Sequence, residues 1–343
     1  MSRMTARKIE FEAPDGQSLR FTRVEPSSVT HPEPVLLVHG AGVRGNIFSP
    51  PYQESLDSKL ARAGYDVWNL DWRASIEHEP NEWTLDKAAV FDYPEAVKKI
   101  REETGIREVK AVVHCQGSTS FMLSLVAGLL PEVTIVISNA VSLHPVVPPR
   151  SALKGRLAVP IVRCMVTYLN PQWGVHAPPG WPRILDFLVR ATHHECNNPV
   201  CKWSSFTYGA GAPTLWRHEN LSEEVHEWLK GEFAHVPMSF FRQMTRSIGA
   251  GHLVTTGEFE QLPESAVDQA PRTDARVVFL GGELNDCFLP ESQARSFDHM
   301  EKYAPGRHSY YEMAGYGHLD PFIGKNAPND VFPLIIDELA NQA

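Results

Sequence analysis

The residues most able to do chemistry surround Cys115, at a corner where an apolar strand gives way to a helix. The frame from Val113 to Gly117 matches the nucleophile elbow G-x-S-x-G, a strained turn that presents a reactive side chain above a sheet. Cysteine takes the place of serine, and Val113 replaces the first glycine. A thiolate attacks carbonyl carbon well, and we expect the helix dipole and a nearby histidine to favour the thiolate at Cys115. The alternative is a buried cysteine that packs as a small apolar side chain.

A base and an acid for this nucleophile follow two later strands. Asp286 comes after the apolar strand 276–280, and His318 lies on a glycine-flanked loop after the strand 309–313. Functional groups of α/β sheets gather at the carboxyl ends of the strands, which would bring both side chains to the elbow. The sequence therefore predicts a triad in which Cys115 attacks, His318 moves the proton and Asp286 orients His318.

Other side chains keep alternatives open. Glu283 is a second candidate for the acid. Ser118 and Ser120 are candidate nucleophiles, although both fall inside the predicted helix and therefore lack the turn. His114 precedes the nucleophile and would point away from it, so its predicted role is packing.

The loop after the first buried strand, 34–38, supplies a candidate oxyanion hole. Gly40 and Gly42 flank Ala41 and would let its backbone N–H point at a developing oxyanion. The N–H of Gln116, next to the nucleophile, is the predicted second donor. The alternative is a flexible loop without a role in binding.

The same loop spells G-x-G-x-x-G over residues 40–45, a pattern of dinucleotide-binding turns, and Asp71 is placed to contact a ribose. That fingerprint needs a helix to begin within the glycines, whereas Pro50 and Pro51 delay the helix to about Tyr52. We therefore expect no dinucleotide and no cofactor.

Strands and helices alternate on both sides of an irregular segment, which predicts how the chain is organised. The alternation indicates an α/β fold with a mostly parallel central sheet and helices on both faces. It covers residues 1–144 and returns over 252–343, which are the two predicted parts of one core. Residues 145–251 lack the alternation and separate Cys115 from Asp286 by far more than two strand–helix units require. We expect them to form an inserted, mainly helical cap.

The cap is rich in aromatic side chains, which are expected to line an apolar substrate pocket. The alternative is that these side chains form the core of the cap itself. Gly40, Gly42 and His144 complete the predicted contacts with substrate. The aromatic candidates are Trp173, Trp181, Trp203, Tyr208 and Trp216.

Composition limits the partners and the compartment. The 343-residue chain has a net charge of −9 and no basic cluster, which argues against nucleic acid as a partner. Residues 1–8 lack the apolar stretch of a secretory signal, and no apolar run is long enough for a membrane span. Five cysteines leave at least one unpaired, which favours a reduced, cytoplasmic setting.

Two of the cysteines, Cys196 and Cys201, follow His193 and His194 in the manner of some zinc sites. Because Cys-x4-Cys is a loose spacing and no second pair matches it, we expect no metal. A disulfide is a further alternative, and unligated cap residues are the favoured interpretation.

With these motifs in place, the sequence resembles the α/β-hydrolase superfamily along nearly its whole length. Within it, the sequence is most similar to a cysteine-elbow branch, the hydrolase-like domains attached to GMC-type oxidoreductases, although no flavin domain is expected here. The elbow also resembles those of polyhydroxyalkanoate synthases and dienelactone hydrolase. The resemblance implies Cys115, His318 and Asp286 as the triad. The segments that carry it are 114–119, 142–145, 317–320, 324–327 and 330–333.

The expected function is a cysteine-dependent hydrolase that cleaves an ester, thioester or lactone through an acyl-cysteine. An acyltransferase, which would pass the acyl group to a hydroxyl, amine or thiol, is one alternative. A catalytically silent binding module is another. The expected partner is a small, apolar or aromatic acyl substrate, and a homodimer is possible.

Overall fold

The strands of the computed structural model, which describes residues 6–211 and 213–341, form one large sheet and one small pair. In chain order they are β1 (Ala6–Glu12), β2 (Ser18–Val24), β3 (Val35–Val38), β4 (Val67–Asp71), β5 (Val109–His114), β6 (Val133–Asn139), β7 (Tyr168–Leu169), β8 (Val236–Pro237), β9 (Arg276–Gly282) and β10 (Ser309–Met313). The large sheet has the order β1-β2-β4-β3-β5-β6-β9-β10, and β7 pairs with β8. The predictions for residues 1–5 and 342–343 lie outside the described residues.

Most of the large sheet is parallel. The β1–β2 hairpin and the β2–β4 pair are antiparallel, whereas every pairing from β4 across to β10 is parallel. All residues of β3 and β5 are buried. Because successive side chains of a strand point to opposite faces, full burial means that both faces of the sheet are covered. The predicted α/β architecture is confirmed.

Helices occupy most of the connections between the strands. In the described residues they are α1 (Leu56–Arg62), α2 (Leu85–Lys87), α3 (Tyr93–Thr104), α4 (Cys115–Val126), α5 (Pro149–Val162), α6 (Trp181–Thr192), α7 (Pro199–Tyr208), α8 (Glu223–Trp228), α9 (Met238–Ala250), α10 (Glu291–Tyr303), α11 (Asp320–Ile323), α12 (Ala327–Asp330) and α13 (Phe332–Ala340). A π-helical turn joins α2 to α3, and short 3₁₀ helices include Gly45–Phe48 and His218–Asn220. Within the described residues, no helix combines the length and the apolar character needed to cross a membrane.

Helices α1, α5 and α7 differ from the sequence-based expectation. Helix α1 begins at Leu56 rather than near Tyr52, whose backbone has φ 70 and so lies outside a right-handed helix. Helix α5 was not expected, because it contains Pro160 and has no fully buried side chain to produce an apolar stripe. Helix α7 was also missed, although Asn198 followed by Pro199 is a typical helix start.

Between β6 and β9 the chain leaves the large sheet. Helices α5 to α9 and the β7–β8 pair lie here, within the residues 145–251 for which the sequence predicts an insertion, and that division stays a prediction. The segment has an apolar cluster separate from the main core, formed by Leu169, Trp173, Leu185, Val189, Trp203 and Met238. This segment therefore has packing of its own in addition to its contacts with the core.

Candidate active site

Cys115 stands at the carboxyl end of β5, where the chain turns directly into α4. Its φ is +55, a value that few residues other than glycine adopt. The turn is tight because a Cβ on Gly117 would lie 2.2 Å from the carbonyl oxygen of His39. Strained backbone at a single reactive residue is typical of functional sites. The local geometry is that of a nucleophile elbow.

Two backbone N–H groups point at the sulfur of Cys115. They belong to Gln116 and Ala41, the residues expected to form an oxyanion hole. The loop on the Ala41 side has no space for larger residues. A Cβ on Gly40 would lie 2.9 Å from the Cβ of Cys115, and one on Gly42 would lie 2.3 Å from Cγ2 of Val236.

His318 lies on the loop between β10 and α11, close to the thiol. A ring nitrogen of His318, a ring nitrogen of His114 and the sulfur of Cys115 all lie within 4.8 Å of one another. Nε2 of His318 is buried and has no hydrogen-bond partner among the described residues. Burial, with a smaller contribution from His114, holds the pKa of His318 well below its usual value. His318 is therefore a neutral imidazole at pH 7.

The structure places Asn285, not Asp286, behind His318. Nδ2 of Asn285 lies 3.2 Å from Nδ1 of His318. The side chain of Asp286 is 38% exposed and lies 3.9 Å from Arg150, with no hydrogen bond to His318 in the described part of the chain. The rival Glu283 does not fill the position either, since its carboxylate accepts from the N–H of Gly315. The predicted place of Asp286 in the site was wrong by one residue.

The orientation of the Asn285 amide determines which nitrogen of His318 carries the proton. Oδ1 of Asn285 accepts from the backbone N–H of Cys287 at 3.0 Å and of Phe288 at 3.1 Å. Nδ2, a donor only, is thereby directed at His318. Nδ1 of the neutral His318 must then accept, and its proton resides on Nε2.

His114 faces the cluster rather than packing away from it, which corrects the expectation. Its Nδ1–H donates to Oδ1 of Asn139 at 2.7 Å, so the lone pair of the neutral ring is on Nε2. Its ring centroid lies 4.8 Å from that of His318 and 5.1 Å from that of Phe322. Burial lowers the pKa of His114 to about 3. His114 and His318 therefore hold opposite tautomers at the same thiol.

The thiol of Cys115 is neutral in this arrangement. Burial raises its pKa to about 12, although the N–H groups of Gln116 and Ala41 act in the opposite direction. The expected thiolate is therefore absent at pH 7, because desolvation of a negative charge outweighs two N–H donors and the helix start. A nucleophilic attack by this sulfur would require the proton to leave during the attack rather than before it.

The three groups could also be considered as metal ligands. The two N–H groups aimed at the sulfur favour negative charge beside them and oppose a cation. The cluster at Cys115 consequently fits nucleophilic chemistry better than metal binding.

An apolar cavity of about 120 Å³ opens at Cys115 and Gln116. It extends between helices α5, α7 and α9 of the inserted segment. Tyr208 lines it, as expected, and donates its hydroxyl proton to the carbonyl oxygen of Ala41 at 2.7 Å. Other apolar lining residues are Val159, Phe206, Met238, Phe240, Met244 and Phe288. The size and the apolar lining of the cavity suit a hydrocarbon or aromatic group.

The tryptophans expected in the pocket do not contribute to the described lining of this cavity. Trp173 and Trp203 are buried in the cluster of the insertion, Trp216 is buried in the main core, and Trp181 is 46% exposed. His144 also lies elsewhere, with its N–H donating to Oγ of Ser296. The prediction that these five residues contact the substrate was therefore wrong for this cavity.

The alternative nucleophiles and the acid of the dinucleotide pattern are engaged in hydrogen bonds within the core and the loop. Ser118 and Ser120 are buried in α4, where Oγ of Ser118 pairs with Ser138 and Oγ of Ser120 donates to the carbonyl of Gln116. Asp71 accepts from the N–H of Gly45 and from the hydroxyl of Ser75. It holds the loop together instead of facing a ribose.

The arrangement of the strands and helices also has counterparts among known proteins. A family model described as the α/β-hydrolase fold matches residues 33–158. The crystal structure of a monoacylglycerol lipase from Paleococcus ferrophilus superposes with a TM-score of 0.57 at 14% identity, covering 99% of this chain and 100% of that one. This chain has the α/β-hydrolase fold. At such identity the structural likeness concerns the fold alone.

Two curated proteins are similar in sequence. Sterol esterase 2 of Saccharomyces cerevisiae is 26% identical over 158 residues, which cover 41% of this chain and 29% of that protein. A probable lipase of Schizosaccharomyces pombe is 27% identical over 326 residues, which cover 85% of this chain and 66% of that protein. The chain thus spans less than two thirds of the length of both relatives.

Proposed function

We propose that this α/β-hydrolase-fold protein cleaves a carboxylic ester, thioester or lactone through an acyl intermediate on Cys115. The observation that carries the proposal is the sulfur itself, held at a positive-φ turn with the N–H groups of Ala41 and Gln116 directed at it. Those donors are placed to stabilise the oxyanion that forms when a nucleophile at 115 attacks a carbonyl. The names of the relatives, a sterol esterase and a probable lipase, support the same class of reaction.

The tautomers favour His114 as the group that transfers the proton. Its Nδ1–H is held by Asn139, so Nε2 is free to accept the S–H proton as the sulfur attacks. The proton passes to the leaving alcohol or thiol when the tetrahedral intermediate collapses. Water then attacks the acyl carbon, gives a proton to His114, and that proton returns to the sulfur of Cys115.

His318 has the complementary role. With its proton on Nε2 and Asn285 donating to Nδ1, the neutral ring can donate a hydrogen bond but cannot accept a proton at Nε2. It therefore acts as a donor to the reacting oxygen. This division replaces the expected triad of Cys115, His318 and Asp286.

The inserted segment acts as the cap that encloses the acyl group. Its support is the composition of the cavity wall, in which α5, α7 and α9 provide most of the apolar surface next to Cys115. Burial of the acyl chain there leaves the carbonyl at the sulfur. The substrate class is consequently an ester or thioester of an apolar acid.

The acyl intermediate is tested by intact-mass measurement after mixing the protein with p-nitrophenyl esters and acyl thioesters. We expect one acyl group on the wild type, located at Cys115 by peptide mapping, and none on Cys115→Ala. Cys164→Ala is the matched control, because Cys164 is exposed and remote in sequence from the elbow. Turnover by Cys115→Ala at the wild-type rate would overturn the proposal. Recovery of an acylated added alcohol, in place of free acid, would favour the acyltransferase.

The cavity assignment is tested by filling it. Ala158 lines the cavity, whereas its neighbour Leu157 is 59% exposed on the same helix. We expect Ala158→Phe to shorten the longest acyl chain that is hydrolysed, and Leu157→Phe to leave chain-length selectivity unchanged. Equal chain-length profiles for both variants would place the acyl group elsewhere.

A further inference from the structure

Four side chains that can bind a metal converge in the inserted segment, away from the elbow in sequence. The sulfurs of Cys196 and Cys201 and ring nitrogens of His218 and His226 all lie within 4.8 Å of one another. Sγ of Cys201 is 3.4 Å from Nε2 of His218, and Sγ of Cys196 is 3.9 Å from Nε2 of His226. Around a tetrahedral zinc ion, sulfur and nitrogen ligands stand roughly 3.6 Å apart. We propose that these four residues bind a structural Zn²⁺.

The donor set suits zinc and closes its coordination shell. Two thiolates and two imidazoles are a common structural combination, and they leave no open position for catalysis. The sequence predicted no metal because Cys-x4-Cys has no similar pair nearby. The fold supplies the second pair from the 3₁₀ helix His218–Asn220 and from α8. Cys196 and His226, at opposite ends of the ligand set, are 30 positions apart in the chain.

Hydrogen bonds outside the cluster already hold its parts together. Oδ1 of Asn198 accepts from the N–H groups of Val200 and Cys201 at the start of α7. Nδ2 of the same residue donates to the carbonyl oxygen of His226 at 2.9 Å. Asn198 therefore links the cysteine-bearing segment to α8, so the ligands approach one another before a metal arrives.

A buried carboxylate beside the cluster also indicates a cation. Both carboxylate oxygens of Glu195, the residue before Cys196, are buried without a hydrogen-bond partner among the described residues. Buried carboxylate oxygens without a hydrogen-bond donor are costly unless a donor or a cation lies nearby. A divalent ion bound to the adjacent cysteine would offset that cost.

A disulfide between Cys196 and Cys201 would explain the positions of fewer side chains than a metal ion does. Cys196 and Cys201 are both free, and joining them would use only two of the four converging groups. The rings of His218 and His226 would then face the sulfurs without any function. A metal ion uses all four.

The zinc would also brace the loop that carries His318. His218 belongs to a segment whose backbone is bonded to that loop. Leu319 N–H donates to the carbonyl of Leu215 at 2.8 Å, and Arg217 N–H donates to Oδ1 of Asp320 at 3.1 Å. We therefore expect metal at His218 to reduce motion on both sides of these bonds.

Metal content of the tag-free, full-length protein tests the site without reference to hydrolysis. We expect one equivalent of zinc in the wild type by mass spectrometry, and loss of it in Cys196→Ser and in His226→Asn. Cys164→Ser and Cys115→Ala should retain the metal, which separates this cluster from the one at the elbow. Zinc that is lost in Cys115→Ala but kept in Cys196→Ser would overturn the assignment.

A second measurement covers the case in which the cluster variants do not fold. The wild type, stripped with a chelator under reducing conditions, should bind one Co²⁺ and develop thiolate-to-cobalt charge-transfer bands with the visible bands of a tetrahedral ion. Hydrogen exchange at 215–221 and 315–320 should be faster in the stripped protein and return to the original rate with Zn²⁺. Absence of the cobalt bands, or a disulfide between Cys196 and Cys201 in the freshly purified protein, would exclude the zinc site.

Discussion

Nδ2 of Asn285 lies 3.2 Å from Nδ1 of His318, where a carboxylate normally orients the imidazole of a catalytic triad. An amide that donates reverses the tautomer that a carboxylate would impose. The protonation of the two imidazoles is consequently governed by two amide–histidine pairs, Asn285 with His318 and Asn139 with His114. As a result, Nε2 of His318 carries a proton, whereas Nε2 of His114 carries a lone pair.

Replacing Asn285 by Asp should increase kcat for ester hydrolysis. The second carboxylate oxygen would accept Nδ1–H of His318 and free Nε2 as a base, while the first would keep its bonds to the N–H groups of Cys287 and Phe288. In a serine-protease triad the same pair of residues changes kcat by about 10,000-fold, and we expect an increase of about 10-fold or more here. Asp286→Asn is the matched control and should retain wild-type activity in steady-state kinetics. A large loss in Asp286→Asn would restore that residue to the site.

The role of His114 can be measured in two backgrounds. His114→Gln retains a donor for Asn139 but removes the base, and should lower kcat by about 100-fold to 10,000-fold. In the Asn285→Asp background, His318 can accept the proton, so the same substitution should cost much less. Equal losses in the two backgrounds, by steady-state kinetics, would show that His114 is not the proton acceptor.

The thiol of Cys115 should react slowly with iodoacetamide at neutral pH. Burial raises its pKa to about 12, so the thiolate fraction rises about ten-fold for each pH unit between 7 and 10. Peptide-resolved mass spectrometry should show the exposed Cys164 alkylated first. A rate at Cys115 that is already constant between pH 7 and 8 would indicate a preformed thiolate–imidazolium pair.

Stability should decrease as the pH falls below about 6.5. Burial lowers the pKa of His39 to about 4, that of His114 to about 3, and that of His318 well below its usual value. In the unfolded chain these side chains titrate near pH 6.5, so acid protonates the unfolded state first. Their contribution is complete above pH 6.5 and is lost as the pH falls toward the folded-state values.

Each of these three groups lowers the free energy of unfolding by about 1.4 kcal/mol for each pH unit of acidification over the steep part of that range. Urea unfolding at pH 7 and at pH 5.5 measures the total. His39→Gln removes one group and should reduce the slope by about 1.4 kcal/mol per pH unit, since other buried histidines such as His144 and His308 also contribute to the total. An unchanged slope in His39→Gln would mean that His39 is not neutral in the folded protein.

The elements around Cys115 were predictable because their signals are local. A continuous apolar run produces a buried parallel strand wherever it occurs, and small residues after a strand allow a tight turn. Strands β3, β5 and β10 and the elbow were found from such signals. The donors at Ala41 and Gln116 also lie where the sequence placed them, and they remain a proposal as an oxyanion hole.

The errors concern side chains whose direction depends on distant parts of the chain. Adjacent residues of a loop point in different directions, and only the bonds of Oδ1 of Asn285 to Cys287 and Phe288 decide that Asn285 faces His318. The aromatic residues of the insertion were expected at the cavity. Trp173 and Trp203 are instead buried against each other, with ring centroids 5.6 Å apart, because large apolar rings gain more from burial in a core.

The sequence alone determined the α/β architecture, the elbow at Cys115 and the position of His318 at a strand end, since each is encoded in a short, continuous pattern. Tertiary structure alone decided the partner of His318, the tautomer of His114 and the meeting of Cys196 and Cys201 with two histidines from later segments. These relationships join residues far apart in the chain, and hydrogen-bond direction and ligand geometry exist only after the segments have packed.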